Sequence, residues 1–373
     1  MLQAPATQHD ESVGARAPFN VEPCRRDPVC ALLRLRWGLG PGGGALLFLI
    51  VFLGGNFLMS AFSGTAFPRP GLDQAFVQDT IAWLIYGLIV PAAALLALRF
   101  YAQVGSTFER LYADGVVQAP LGEYNRFLDQ LHRRYNAPGV HVGVLAMAAA
   151  IYGFMVYHNQ HDSVRAWLDW GMGIGAAYQL AVGIIPWYSA LLLLVKAVVT
   201  GRAMQRVFDW PVNIQPLHPD GCGGLRLLTD ISVTIALFTA LLALAMVLFI
   251  RAGTPLVSIP VAAALSLMVL TPVAFAVCLH SAHRAMARAK SALLARVSQQ
   301  AQPSYQALCE GLYRGEAAEA ASEEILRLDA LHAFVRRLPV WPINTEVTVQ
   351  VLLSIALPLA LLVLQVVVER AVE

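Results

Sequence analysis

Seven long apolar runs constrain this chain more than any other feature of its sequence. Each run has about 20 residues or more, which is the length of helix that crosses roughly 30 Å of hydrocarbon. Backbone polar groups cannot stay unpaired in lipid, so the runs are predicted to be helices. The predicted spans are 45–65, 80–99, 139–157, 171–197, 229–250, 256–279 and 347–368.

The composition of the chain supports the same interpretation. Of 373 residues, 57% are hydrophobic and 13% are charged, whereas a soluble domain has about 25% charged residues. The sequence predicts an all-α fold, a polytopic transmembrane helical bundle of about seven spans with a small cytoplasmic helical hairpin. The net charge of +2 gives no reason to expect nucleic acid as a partner. The expected partners are the lipid bilayer, a small ion or solute, and further copies of the chain in a homo-oligomer.

The distribution of positive charge predicts an orientation. Positive residues stay on the cytoplasmic side during membrane insertion, and all but four of the 26 fall on the side that holds the N-terminus. The location expected from this asymmetry is a bacterial inner membrane, with the N-terminus cytoplasmic and the C-terminus outside. The five cysteines fall on the inner side or at its edge, so no disulfide framework is expected. The four outer positive residues are Arg69, Arg165, Arg251 and Arg370.

The chain divides into four predicted parts. Residues 1–43 form a cytoplasmic N-terminal tail, disordered to about residue 27. Residues 44–279 form the first six spans, with inner-face helices at 101–138, where Ser106 begins a capping-box pattern and Gly115 ends the first helix. Residues 280–346 form the cytoplasmic hairpin, in which span six continues as a stalk to Pro303 and a helix at about 316–337 returns. Residues 347–373 hold the last span.

One loop, at 216–226, concentrates the polar chemistry of the chain. Its glycines can adopt positive φ, so that backbone N–H groups converge into a nest that binds an anion. Arg226 follows near the start of the fifth span, where a helix N-terminus favours negative charge. A structural turn, capped by its aspartate, is the other interpretation. The anion-binding or gating residues are His218, Asp220, Gly221, Gly223, Gly224 and Arg226.

The same loop also offers ligands for a divalent metal, the one cofactor that the sequence suggests. Imidazole, carboxylate and thiolate groups are typical metal ligands. His280 and His283 share a helix face at i and i+3 and are predicted to lie near the same side of the membrane. The candidate metal ligands are therefore His218, Asp220, Cys222, His280 and His283.

Two motifs carry a resemblance to other sequences. The loop reads Pro216-Leu-His-Pro-Asp-Gly-Cys-Gly-Gly-Leu225, and Leu338-Pro-Val-Trp-Pro342 precedes the last predicted span. With Phe208 before the loop, this pattern resembles a group of uncharacterised bacterial polytopic membrane proteins. The resemblance implies a shared fold and a constrained loop, and it supplies no activity.

Three functions remain open at this stage. The leading hypothesis is a channel-like or transport protein for an ion or small anionic solute, with the loop as gate or recognition element. Lys196 is predicted to snorkel to the inner surface, and the lack of buried carboxylates argues against a proton-driven pump. The alternatives are a membrane enzyme or metal-handling protein with an inner-face His/Asp/Cys site, and a signalling or scaffold protein that binds a soluble partner through 284–338. Known hydrolase and nucleotide-binding signatures are absent, which weakens the enzyme interpretation.

Overall fold

The protein is described by a computed structural model. The described residues are 24–159, 167, 174–213, 222–251, 258–314, 319–338, 340, 341, 349, 350, 352, 356, 360 and 363. Within these ranges the regular structure is helical, and the extended segments contribute isolated bridge residues, among them the bridge between Val117 and Val212. The predicted all-α class is therefore confirmed.

Among the described residues, five helical spans are long and apolar enough to cross a membrane, which indicates a membrane protein. Large apolar side chains such as Ile50, Val142 and Val198 are more than half exposed on these helices, as expected for surfaces that face lipid. We number the spans 1 to 5 in chain order: Pro41–Phe62, Thr80–Ala113, Leu121–Tyr157, Ile174–Val207 and Arg226–Phe249.

The first five predicted runs each overlap one of these spans. The sixth run coincides with the start of a continuous helix, Ser258–Arg314. The seventh run, 347–368, lies mostly outside the described residues. A total of seven spans therefore stays a prediction.

Spans 1 and 2 each contain a π-helical segment, and the two segments lie against each other. The segments are Leu49–Gly54 and Ile85–Ile89. A π-helical turn has i→i+5 hydrogen bonds and is found frequently at functional sites. Side chains also bond to carbonyl groups of the first segment: Asn56 donates to the carbonyl of Phe52 at 2.6 Å, and the Tyr178 hydroxyl donates to that of Val51.

The helices predicted at 101–138 are present, but the first has a different start. The helix Val90–Ala113, which is the later part of span 2, runs without interruption through Ser106. The Ser106 hydroxyl donates to carbonyls one turn earlier and does not cap a new helix. The capping-box prediction was wrong because the apolar span before it already supplies a helical template. Gly115, with φ of 68°, follows the helix end as predicted. The second helix is Leu121–Tyr135, whose apolar face is buried.

A helix of 57 residues, Ser258–Arg314, follows span 5 and is about 85 Å long at 1.5 Å per residue. The predicted end at Pro303 was wrong. A proline removes one helical hydrogen bond, and the exposed position of Pro303 leaves room around the carbonyl that it frees. The helix Glu319–Arg337 packs against this long helix, and Lys290 caps it by donating to the carbonyls of Arg336 and Leu338 at 2.7 and 2.8 Å.

Residues 24–38, which we call the N-terminal segment, are folded against the bundle. Asp27 caps the helix Pro28–Cys30 by accepting from the backbone N–H groups of Val29 and Cys30 at 3.1 and 3.2 Å. Cys24 and Cys30 are both buried and form a disulfide, with Cα atoms 5.5 Å apart. The expectation of no disulfide was wrong, because the turn at 24–26 brings two cysteines six residues apart within bonding distance.

Candidate functional site

A central cavity of about 450 Å³ lies between the helices, and all five spans contribute to its walls. On span 2 the lining residues run from Ile85 to Tyr101. The sixteen residue steps from Ile85 to Tyr101 correspond to about 24 Å of helix. The lining residues on span 2 therefore cover a length that is most of the roughly 30 Å of hydrocarbon that a membrane helix crosses.

The walls of the central cavity are mostly apolar. Both π-helical segments contribute to them, through Phe52 on span 1 and Tyr86 on span 2. Such walls are typical of sites for organic molecules, which combine apolar contact with a few placed polar groups. Representative apolar lining residues are Phe48, Val90, Ala94, Leu194 and Phe238.

A buried charged pair marks one end of the cavity, which we call the Asp27 end. The Asp27 carboxylate is 2% exposed; its Oδ2 accepts from the Tyr101 hydroxyl at 3.0 Å and lies 3.9 Å from the Lys196 Nζ. The Nζ also sits 4.6 Å from the centre of the Tyr101 ring, a cation–π geometry. Burying two charges is costly unless each meets compensating groups, and here the backbone, a hydroxyl and an aromatic ring supply them.

The N-terminal segment covers the Asp27 end. Cys30 and Leu33 line the cavity beside Asp27. The segment is attached to three spans, because Asp27 contacts residues of spans 2 and 4, and the backbone N–H of Arg26 donates to Asn136 Oδ1 on span 3 at 3.0 Å. The segment therefore forms part of the wall at the Asp27 end of the cavity.

Side-chain amides and hydroxyls form a second polar cluster, at the opposite end. Gln179 donates from Nε2 to Asn56 Oδ1 and, at 3.3 Å, to the Tyr86 hydroxyl. The Tyr152 hydroxyl donates to the backbone carbonyl of Gln179 at 2.6 Å. Gln179, Tyr86 and Tyr152 all line the cavity, and we call this end the Gln179 end.

The prediction that Lys196 snorkels to the surface was wrong. Its side chain is 1% exposed, because Asp27 lies close enough to pair with it inside the bundle. The sequence-based inference that the chain lacks a buried carboxylate was also wrong, because the Asp27 carboxylate is buried beside Lys196. Sequence reasoning placed Asp27 in a disordered tail, although the Asp27-Pro28 pair is a helix-start signal that points to local order.

The structure describes only part of the predicted anion-binding loop. Gly223 and Gly224 have φ of 68° and 91°, which is the conformation that the glycines were predicted to allow. Arg226 begins the helix of span 5, also as predicted. His218, Asp220 and Gly221 lie outside the described residues, so the anion-binding or gating role of the loop stays a prediction.

The ligands of the predicted metal site are likewise described only in part. Over the described ranges, no three His, Cys, Asp or Glu side chains come close enough to hold a metal. His280 is exposed, whereas His283 donates from Nδ1 to the Val340 carbonyl at 2.8 Å and stacks on Trp341 with ring centres 4.0 Å apart. These contacts give His283 a structural role just after the end of the helix Glu319–Arg337. The full set with His218, Asp220 and Cys222 stays a prediction.

Comparison of the chain with protein-family models, with curated proteins and with solved structures finds no match.

Proposed function

We propose that this chain is a multi-pass membrane transport protein whose solute occupies the central cavity. The length of the cavity carries this proposal: its wall on span 2 covers about 24 Å, most of the thickness of a membrane core. A buried charged pair at one end adds to it, because ionisable groups inside a membrane protein commonly mark a solute path.

The walls favour an organic solute over the ion or small anion that the sequence suggested. A bare ion in this cavity would lose its hydration and find polar groups mainly at the two ends. An organic molecule with apolar surface keeps favourable contacts along the whole length. The transport class is therefore retained, and an organic solute replaces the ion in the proposal.

The N-terminal segment acts as the gate in this proposal. A solute that passes the Asp27 end must displace the segment, which separates Asp27 from Tyr101 and Lys196. The distribution of arginine supports a cytoplasmic position for this end, in a bacterial inner membrane. Because disulfides are uncommon in that compartment, the bond between Cys24 and Cys30 would form there only under oxidising conditions.

Flux through liposomes that contain the purified protein tests the proposal. The probes are potassium, chloride and ethidium, an organic cation with apolar surface that does not cross bilayers freely. Ala94→Phe fills the cavity, whereas Ala92→Phe adds the same ring to the same helix at a position that does not line it. We expect ethidium flux that Ala94→Phe lowers strongly and Ala92→Phe leaves unchanged.

Two results would contradict parts of the proposal. Absence of flux for every probe would refute the transport function. Chloride flux without ethidium flux would refute the organic solute and restore the small-anion prediction. The enzyme and scaffold hypotheses then become the next candidates, tested by metal content and by partner capture on the full chain.

A further inference from the structure

A second pocket, of about 370 Å³, lies between the helix Leu121–Tyr135 and the end of span 4, and we call it the interfacial pocket. We propose that it binds a zwitterionic phosphodiester, a phosphate joined to an ammonium group as in the head group of phosphatidylethanolamine. The site does not depend on the transport function, because the interfacial pocket and the central cavity share no lining residue.

One wall of the interfacial pocket is a face of the helix Leu121–Tyr135. Glu123, Arg126 and Phe127 lie at positions i, i+3 and i+4, so they share one side of the helix. The Arg126 Nε donates to the Gly122 carbonyl at 3.2 Å. A guanidinium has five N–H donors, so the four on the two Nη atoms are left for a ligand.

The end of span 4 forms the other wall, with the same residue types in a different order. Arg206 lies in the last turn of the helix, and Asp209 and Trp210 follow it at i+3 and i+4. The chain continues as a tight turn here, because the Asp209 N–H donates to the Arg206 carbonyl at 3.1 Å. The pocket is therefore lined by two guanidinium groups and two carboxylates, and its charges balance.

Aromatic contacts and backbone hydrogen bonds hold the two walls together. The Trp210 ring is perpendicular to that of Phe127 with centres 5.4 Å apart, and it lies 5.6 Å from the ring of Tyr124. Two backbone hydrogen bonds, of 2.9 and 2.8 Å, join residues 116–118 to residues 211–213. The pocket is therefore preformed, as sites for small ligands usually are.

The four charged side chains do not neutralise one another directly. Over the ranges that the structure describes, none of them forms an ion pair. Opposite charges at i and i+3 often pair on a helix surface, and each wall offers such a pair of positions. Because the groups stay apart, a guanidinium and a carboxylate on each wall are available to a ligand that carries both charges.

The residue types determine which ligand fits. Guanidinium groups bind phosphate through paired hydrogen bonds, a role for Arg126 and Arg206. An ammonium group binds to carboxylates and to the face of an indole ring, a role for Glu123, Asp209 and Trp210. Basic pockets between membrane helices bind anionic head groups. Here a phosphate without an ammonium group would leave two carboxylates facing a like charge.

The position of the pocket favours a phospholipid as the source of this group. Arg206 lies in the last turn of span 4, and the amphipathic helix Leu121–Tyr135 precedes the apolar part of span 3. The ends of membrane helices reach the head-group region, and tryptophan is enriched there. A phospholipid can therefore present its head group at the level of the pocket without leaving the bilayer.

Native mass spectrometry of the purified full chain in dodecylmaltoside micelles tests the proposal. The probes are phosphatidylethanolamine, phosphatidylglycerol, which has the phosphate without the ammonium, and soluble glycerophosphoethanolamine. Arg206→Gln removes a phosphate ligand, and its control is Arg202→Gln, one turn earlier on the same helix and outside the pocket. Glu123→Gln with Asp209→Asn removes the carboxylates, and its control is Asp129→Asn, also outside the pocket. All five side chains are exposed, so the variants are expected to fold.

We expect saturable binding of phosphatidylethanolamine, roughly tenfold tighter than that of phosphatidylglycerol. Arg206→Gln should weaken it roughly tenfold, because a hydrogen bond between charged groups is lost, whereas Arg202→Gln should not change it. The Glu123→Gln, Asp209→Asn double variant should lose the preference for phosphatidylethanolamine, and Asp129→Asn should keep it.

Three results would overturn the proposed site: no saturable binding, equal binding of the two lipids by the wild type, or equal effects of Arg206→Gln and Arg202→Gln. Binding of glycerophosphoethanolamine that is tighter than binding of the lipid would overturn the lipid source and assign a soluble diester to the same pocket. None of these results bears on ethidium flux, so the transport proposal stands or fails separately.

Discussion

The pair of Asp27 and Lys196 yields the sharpest prediction, a coupling energy between two buried charges. Asp27→Asn removes the charge but keeps a side chain that can cap the following helix. Lys196→Met removes the charge but keeps an apolar stem of similar length. Each single substitution leaves the partner charged and buried, and we expect each to lower the free energy of unfolding by about 3–5 kcal/mol.

The double substitution removes both charges and should cost clearly less than the sum of the singles. At the 3.9 Å between Oδ2 and Nζ, with an effective dielectric constant of about 20, the attraction is about 4 kcal/mol. We therefore expect a coupling energy of about 2–4 kcal/mol from the double-mutant cycle. The range falls below the full attraction because hydrogen bonds to Asp27 and the Tyr101 ring partly replace the missing partner.

Equilibrium unfolding in mixed micelles of dodecylmaltoside and SDS, followed by tryptophan fluorescence, measures the four free energies. A second pair provides the control: Arg327 and Glu324 are also 3.9 Å apart, but their side chains are 84% and 46% exposed. This exposed pair should couple by less than about 0.5 kcal/mol. If both pairs gave the same coupling, burial would not be the source of the energy and the reasoning would be refuted.

Two further predictions concern contacts outside the cavity. Cys30→Ser removes the disulfide to Cys24 and should lower the free energy of unfolding by about 2 kcal/mol. A reductant should destabilise the wild type by the same amount and leave the variant unaffected. An effect of the reductant on the variant would contradict the assignment of this disulfide. Lys290→Met removes the cap on the carbonyls of Arg336 and Leu338, so amide hydrogens in the last turn of that helix should exchange faster while global stability changes by less than about 1 kcal/mol. Unchanged exchange would show that the cap is dispensable.

The sequence predicted the helices well because their signal is local. An apolar run of about 20 residues must be helical in lipid whatever surrounds it, and the first five runs overlap the five spans. Gly115 and the amphipathic helix Leu121–Tyr135 were likewise predictable from residue type and spacing.

The cavity and its charged end were not predictable because their contacts join distant parts of the chain. Asp27 meets Tyr101 and Lys196, which lie 74 and 169 residues later in the sequence. No periodicity connects such positions, and the polar residues before Asp27 made the whole region resemble a disordered tail.

The two π-helical segments have a consequence for how the sequence can change. A π-helical turn is an α-helical turn with one residue inserted, so deletion of one residue within Leu49–Gly54 would restore regular α-helix there. The i→i+5 turn already takes up the extra residue, so the parts of span 1 before and after the deletion would keep nearly the same relative rotation. Phe48 and Asn56, which lie on either side of the segment and are both buried, would still face the interior together. Deletion of one residue from a regular α-helical part of the same span would instead rotate one part by about 100° relative to the other, so span 1 keeps its buried face after the loss of a residue only within the π-helical segment.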